Sequence, residues 1–171
     1  MLNRIIFLIG MPGSGKSSLG RRAARETGVP FLDLDDWIAE RAGMSIPEIF
    51  ARYEEEGFRR METNALAYLA GLRPGVIALG GGTPMNPVNQ KIIRGFGSVV
   101  LLDRPLERIL ADLRTETRPL LAEEPETRMR ELYDQRMPAY RRLADVTIRN
   151  DGEVQTAAAL LVRVLKERYH A

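Results

Sequence analysis

Gly10-Met11-Pro12-Gly13-Ser14-Gly15-Lys16-Ser17 decides the fold, because it matches the phosphate-binding pattern G-x-x-x-x-G-K-[S/T] at every specified position. The apolar run 5–9 before it predicts a buried strand, and residues 17–27 after it predict a helix. Glycines at such a junction let backbone N–H groups turn toward an anion at the helix N-terminus. Lys16 would reach the β- and γ-phosphates of a nucleoside triphosphate, and Ser17 would hold Mg²⁺. A glycine-rich turn that binds nothing explains neither side chain.

The composition predicts one soluble domain. The chain has 171 residues, 44% hydrophobic and 28% charged, which excludes disordered and fibrous classes. Without cysteine there are no disulfides, thiolate metal sites or cysteine nucleophiles. No apolar run approaches the roughly 20 residues that cross a bilayer, and no signal-peptide cleavage site is present. The net charge is only +2, with basic and acidic residues interspersed. We therefore expect a single cytoplasmic domain over 1–171 that acts as a monomer, without a membrane or nucleic-acid partner.

The next predicted strand ends in acids, and the one after it is followed by glycines. In the strand over 29–35, period-two spacing puts Asp33 and Asp35 on one side, where a cation or a substrate hydroxyl would relieve their repulsion. The helix that follows is predicted to be capped by Asp36. The strand over 75–79 runs into Gly80-Gly81-Gly82, whose backbone N–H groups suit a ligand that approaches closely; a simple loop is the alternative.

Alternating strands and helices continue to the C-terminus. Ser45-Ile46-Pro47-Glu48 is a capping box that opens one helix, and a second helix follows from about residue 54 to 70. The later elements are strands at 99–103 and 145–148 and helices over 126–144, bent or broken at Pro138, and over 153–169. The polar segment 114–125 predicts a mobile lid. This alternation predicts an α/β fold with a parallel sheet covered on both faces, whose ligands gather at the carboxyl ends of the strands.

Five motifs occur in an order that resembles the shikimate kinase family of P-loop small-molecule kinases, within the nucleoside monophosphate kinase-like group. Beyond the phosphate loop, they are Phe31-Leu32-Asp33-Leu34-Asp35, Phe58-Arg59-Arg60-Met61-Glu62, Gly80-Gly81-Gly82, Arg118-Pro119-Leu120-Leu121, and Leu132-Tyr133 with Arg136, Pro138 and Tyr140. The resemblance covers essentially the whole chain. It implies a three-layer P-loop NTPase fold with a five-stranded parallel sheet in the order 2-3-1-4-5, flanking helices, a lid and a substrate-binding segment over about 33–62.

The same resemblance implies an ATP-dependent kinase that phosphorylates the 3-hydroxyl of shikimate, giving shikimate 3-phosphate and ADP in chorismate and aromatic amino acid biosynthesis. Mg²⁺ would be held by Ser17 and, through water, by Asp33. The implied catalytic residues are Asp35, Lys16 and Arg118. The implied ATP-binding residues are Gly13, Ser14, Gly15, Lys16, Ser17, Ser18, Arg114, Arg118 and Arg149. The implied shikimate-binding residues are Asp35, Arg59, Gly80, Gly81, Gly82 and Arg136, with Glu62 orienting Arg59.

Three rival functions share part of this pattern. A gluconate-type or other small-acid kinase has the loop and the acids, but the glycine triplet with Arg59 and Arg136 argues against it. A nucleoside monophosphate kinase needs a second nucleotide pocket, which the segment after the second strand lacks. An NTP-dependent regulatory or nucleic-acid-binding module would carry a basic stripe with interleaved aromatic residues, and none is found in the sequence.

Overall fold

The computed structural model describes residues 4–72, 75–116 and 123–169, in which strands and helices alternate. The strands are β1 (Ile5–Ile9), β2 (Phe31–Asp33), β3 (Val76–Ala78), β4 (Gly97–Asp103) and β5 (Val146–Arg149). The helices are α1 (Lys16–Thr27), α2 (Leu34–Ala42), α3 (Ile46–Leu72), α4 (Pro87–Phe96), α5 (Leu106–Glu116), α6 (Glu123–Leu143) and α7 (Val154–Arg168). A short 3-10 turn, Thr83–Met85, precedes α4.

The described strands form one parallel sheet in the order β2-β3-β1-β4-β5, as predicted. β1 lies at its centre, where Leu8 pairs with Ala78 of β3 and with Val100 of β4. All of β1 is buried, because helices cover both faces of the sheet. An unbroken apolar run is therefore the sequence that this position requires.

Side chains of β1 alternate between two hydrophobic cores, one on each face of the sheet. Ile5, Phe7 and Ile9 pack in the core shared with α2, α3, α4 and α6. Ile6 and Leu8 pack in the core shared with α1 and α7. The result is the predicted three-layer architecture, with the carboxyl ends of all these strands along one edge of the sheet.

The second strand is shorter than predicted, and this changes the position of its acids. β2 ends at Asp33, and α2 begins at Leu34, so Asp33 and Asp35 do not share a face of one strand. Asp33 is the N-cap of α2: its carboxylate accepts hydrogen bonds from the backbone N–H groups of Asp35 (3.0 Å) and Asp36 (3.2 Å). The prediction that Asp36 caps the helix was wrong, because Asp33, which is extended and precedes the helix, already accepts hydrogen bonds from the first backbone N–H groups. Asp36 instead forms an exposed ion pair with Arg21.

The capping box and the second helix occur as predicted. The backbone N–H of Ser45 donates to Glu48 Oε2 (2.7 Å), and the N–H of Glu48 donates to Ser45 Oγ (3.3 Å). Glu54 interrupts α3 with φ 60° and ψ 179°, which are not helical angles. The part of α3 that follows Glu54 carries Arg59 and Glu62 toward the edge of the sheet where the strands end.

Two helices differ from the prediction. α6 continues through Pro138, so of the predicted bend or break the break does not occur. Met137 and Tyr140, both buried in the core, hold the helix on either side of the proline. α4 was not predicted, although its start carries a recognisable signal. Asn86 accepts a hydrogen bond from the N–H of Val88 (2.9 Å), and Pro87 occupies the first helical position.

Of the lid predicted over 114–125, residues 114–116 end α5 and residues 123–125 begin α6, while 117–122, with Arg118, lie outside the described residues. Among the helices of the described ranges, none combines the length and apolar character required to cross a membrane.

Candidate active site

The phosphate loop forms a concave turn between β1 and α1. Gly13 and Gly15 have φ of 78° and 98°, a left-handed conformation that favours glycine. A β-carbon on Gly10 would lie 2.6 Å from Ser14 Oγ and 2.7 Å from the carbonyl oxygen of Leu102. Gly15 is the N-cap of α1 and provides no side-chain hydrogen bond, so the first N–H groups of the helix are available to an anion.

Lys16 and Ser17 lie at the start of α1 and turn toward the acids. Lys16 Nζ donates to the carbonyl oxygens of Gly10 (2.7 Å) and Met11 (3.0 Å). Burial lowers the pKa of Lys16 to about 8, although the nearby carboxylates of Asp35 and Asp33 oppose this shift. The Ser17 hydroxyl donates directly to Asp33 Oδ2. The two predicted magnesium ligands are therefore in contact with each other.

Asp35, in the first turn of α2, points toward the glycine triplet. A β-carbon on Gly80 would lie 2.8 Å from its Oδ1 atom. That oxygen is buried and has no hydrogen-bond partner among the described residues. Burial, followed by the negative charges of Glu62 and Asp33, raises the pKa of Asp35 to about 6. The arrangement leaves a basic carboxylate oxygen with a free lone pair beside the phosphate loop.

A cavity of about 530 Å³ adjoins the glycine triplet and contains the two predicted arginines. Arg59 Nη1 forms an ion pair with Glu62 Oε2 (2.7 Å), which is the contact expected for an orienting partner. A second, longer pair joins Arg59 Nη2 to Glu55 (3.3 Å). The remaining lining residues described are Phe50, Gly82, Met85, Arg128, Leu132, Gln135 and Arg136. The apolar side chains of Phe50, Met85 and Leu132 beside converging guanidinium groups suit a small carboxylic acid.

The glycine triplet allows the arginines to lie directly against the backbone. A β-carbon on Gly81 would lie 2.5 Å from Arg136 Nη1, and one on Gly82 would lie 2.6 Å from Arg59 Nη2. Tyr140, wholly buried, donates its hydroxyl to the carbonyl oxygen of Gly81. A side chain at Gly81 or Gly82 would therefore displace a guanidinium group, and one at Gly80 would displace the carboxylates of Asp35 and Glu62.

A second cavity, of about 390 Å³, lies on the other side of the phosphate loop and is the position expected for a nucleotide base and ribose. Gly13, Gly15 and Ser18, all predicted for ATP, line it. Arg149 is not among its lining residues; its side chain is 73% exposed and pairs with Asp151 (2.6 Å). The side chain of Arg114 lies outside the described residues, so its predicted contact with adenine stays a prediction.

Sequence reasoning missed Arg104 and Arg108, which also line this second cavity. It placed the turn around 149–151 at the base pocket through Arg149, whereas Asn150 and Asp151 are the residues of that turn that line the cavity. Arg104 Nη1 donates to the carbonyl oxygen of Gly13 (2.8 Å), and Asn150 Nδ2 donates to that of Ser14 (3.0 Å). Arg104 directly follows β4 and Asn150 directly follows β5, so both lie at the carboxyl ends of parallel strands, where ligands bind. This position could have identified them from the sequence.

The comparisons with known proteins agree with this geometry. The sequence model of the family described as shikimate kinase matches residues 12–166. The chain belongs to the shikimate kinase family. The shikimate kinase of Thermus thermophilus is 45% identical over 150 residues, covering 86% of this chain and 81% of that protein. The one from Clostridium beijerinckii is 39% identical over 154 residues, covering 90% and 89%.

Solved structures of the family have the same fold. Shikimate kinase from Acinetobacter baumannii, determined in complex with shikimate, superposes with a TM-score of 0.84 at 36% identity, covering 96% of this chain and 92% of that one. The structure from Bacteroides thetaiotaomicron gives a TM-score of 0.83 at 30% identity, covering 95% and 98%. As a member of the shikimate kinase family, the chain is an enzyme that phosphorylates shikimate with ATP in aromatic biosynthesis. The gluconate-type kinase, the nucleoside monophosphate kinase and the regulatory module are thereby set aside.

Proposed function

We propose that Asp35 accepts the proton of the 3-hydroxyl of shikimate when that oxygen attacks the γ-phosphorus of ATP. The observation that carries this proposal is its Oδ1 atom, which is buried, has no partner among the described residues and lies next to Gly80 at the start of the glycine triplet. In the step, the hydroxyl oxygen forms a bond to the γ-phosphorus, the bond to the β–γ bridging oxygen breaks, and ADP leaves. The hydroxyl proton passes to Asp35, whose raised pKa of about 6 makes it a better base than an ordinary aspartate.

The substrate carboxylate would be bound by Arg59 and Arg136, with backbone groups of Gly80, Gly81 and Gly82. Both guanidinium groups lie against this triplet and face one cavity, which supports a bidentate grip on a planar carboxylate. Asp35 Oδ1 lies next to Gly80, the first glycine of the triplet. An acid bound at the triplet would therefore present its ring hydroxyls toward the carboxylate of Asp35. Positioning of this kind supplies most of the catalysis in phosphoryl transfer.

ATP would lie along the phosphate loop with its base in the second cavity. The N–H groups of residues 13–18 and the Lys16 ammonium group would bind the phosphates and offset the charge that develops during transfer. Arg118, which lies outside the described residues, keeps its predicted role toward the transferred phosphate. Arg104, Arg108 and Asn150 join the ATP-binding set because they line this cavity.

Mg²⁺ would be held by Ser17 and, through water, by Asp33. The donor set fits this ion: a hydroxyl and a carboxylate oxygen lie in contact at the end of the phosphate loop, and Mg²⁺ prefers such hard oxygen ligands while retaining several waters. When bound, the ion would neutralise charge on the β- and γ-phosphates. We further propose that the enzyme acts as a cytoplasmic monomer, since the residues assigned to both substrates come from one chain and ATP is abundant in the cytoplasm.

The test is Asp35→Asn, with ADP release measured in the presence of Mg²⁺-ATP and shikimate. We expect turnover to fall by roughly 10²–10⁴-fold, the usual contribution of a general base, while ATP binding measured by calorimetry is retained. Asp36→Asn is the matched control, because this neighbouring carboxylate is exposed and, among the described residues, pairs only with Arg21 outside the site. Near-normal turnover in Asp35→Asn would eliminate Asp35 as the base.

A further inference from the structure

Glu62 is a buried carboxylate with a donor on each oxygen. Its side chain is 1% exposed. Its Oε2 atom accepts from Arg59 Nη1 (2.7 Å), and its Oε1 atom accepts from the hydroxyl of Thr83 (2.7 Å). A buried carboxylate needs such donors, because an unsatisfied oxygen would carry the full cost of its lost hydration.

Thr83 is itself held in place by the elements around it. The residue is fully buried and starts the 3-10 turn that follows the glycine triplet. Its N–H donates to the carbonyl oxygen of Gly80 (3.1 Å), and its own carbonyl oxygen accepts from Asn89 Nδ2 of α4 (2.9 Å). The hydroxyl group is therefore presented to Glu62 from a fixed backbone, and α4 is connected through Thr83 to the substrate cavity.

Without the Thr83 hydroxyl, repulsion from Asp35 would displace the Glu62 carboxylate. Its Oε1 atom and Asp35 Oδ1 lie 3.1 Å and 2.8 Å from the same point, the position of a β-carbon on Gly80. Like charges so close repel each other, and the Thr83 hydroxyl is the neutral donor that keeps Oε1 turned toward the 3-10 turn. The other partner of Arg59, Glu55, is 70% exposed and more distant, so it cannot orient the guanidinium group alone.

We infer that Thr83 is a positioning residue for substrate recognition: through Glu62, it fixes the Arg59 guanidinium group in the orientation that binds the carboxylate of shikimate. This inference rests on the proposed role of Arg59. Thr83 touches neither substrate in this scheme, and its effect reaches the substrate only by way of the ion pair between Glu62 and Arg59.

The test compares Thr83→Val, which keeps the branched shape but removes the hydroxyl, with Thr83→Ser, which retains it. For Thr83→Val we expect the KM for shikimate to rise about tenfold or more, since a hydrogen bond to a charged group is lost, with the KM for ATP unchanged. Thr83→Ser should restore most of the wild-type value. Thr27→Val is the matched control, because within the described part of the chain the Thr27 hydroxyl donates only to backbone carbonyl oxygens of α1.

The methyl ester of shikimate separates recognition of the carboxylate from general damage, because it keeps the reacting hydroxyl but lacks the charge. The ratio of kcat/KM for shikimate to kcat/KM for the ester should fall about tenfold in Thr83→Val. If both substrates lose activity equally, or if Thr83→Ser fails to rescue, Thr83 is structural and the inference is overturned. If wild-type enzyme does not discriminate acid from ester, the proposed role of Arg59 has failed instead.

Discussion

Replacing Gly82 by alanine is expected to weaken shikimate binding through a steric effect on Arg59. Gly82 has φ −85° and ψ −21°, which alanine adopts without strain. A β-carbon there would lie 2.5 Å from Cζ and 2.6 Å from Nη2 of Arg59. Because contacts between such atoms are favourable at about 3.5–4.0 Å, the guanidinium group must retreat by about 1 Å.

The size of the effect follows from what that displacement disrupts. The ion pair between Arg59 Nη1 and Glu62 Oε2, at 2.7 Å, holds the guanidinium group against the glycine triplet. A retreat of this size removes at least one charge-assisted hydrogen bond to the substrate carboxylate, worth about 1.5–3 kcal/mol. The KM for shikimate should therefore rise about ten- to hundredfold, since each 1.4 kcal/mol is a factor of ten.

This change is measured by steady-state ADP release, first with shikimate varied at saturating ATP and then with ATP varied at saturating shikimate. The KM for ATP should stay at its wild-type value. Gly95→Ala is the control, because Gly95 lies in α4 and a β-carbon there would meet nothing within 4 Å. An unchanged KM for shikimate in Gly82→Ala would refute the reasoning, since it would mean that Arg59 does not bind the substrate from this position.

Two further predictions concern the same cavity and its base. Arg136→Ala should raise the KM for shikimate by roughly 30-fold or more, because truncating one partner of a buried charge pair costs about 2–5 kcal/mol; Arg141→Ala, an exposed arginine of the same helix, should not, and equal values for the two variants would move the carboxylate site elsewhere. The pKa of Asp35 is raised to about 6, so its carboxylate is charged, and able to accept a proton, only above that pH. The kcat/KM for shikimate should therefore fall as the pH is lowered through about 6, and a profile that stays flat down to pH 5 would contradict this assignment.

Much of the site was predictable because it is local in sequence. The phosphate loop needs glycines, a lysine and a serine within eight positions, and the capping box needs Ser45 and Glu48 within a single turn. The glycine triplet was predicted from its position at the end of a strand, whereas the role of Arg59 was found through the resemblance. The residue at which the second strand ends could not be predicted in this way, because an aspartate such as Asp33 can either continue a strand or cap the helix that follows. The packing of α2 decides between these two conformations.

By itself, the sequence determined the alternation of strands and helices except for α4, the fully buried β1 and the anion site after it. Only the tertiary structure decided which distant side chains complete that site. Arg104 reaches the carbonyl of Gly13 across 91 positions, and Asn150 reaches that of Ser14 across 136. The bond from Thr83 to Glu62 likewise depends on the packing of the glycine turn against α3. Periodicity and local motifs report the conformation of a segment, whereas contacts between segments depend on strand order and helix packing.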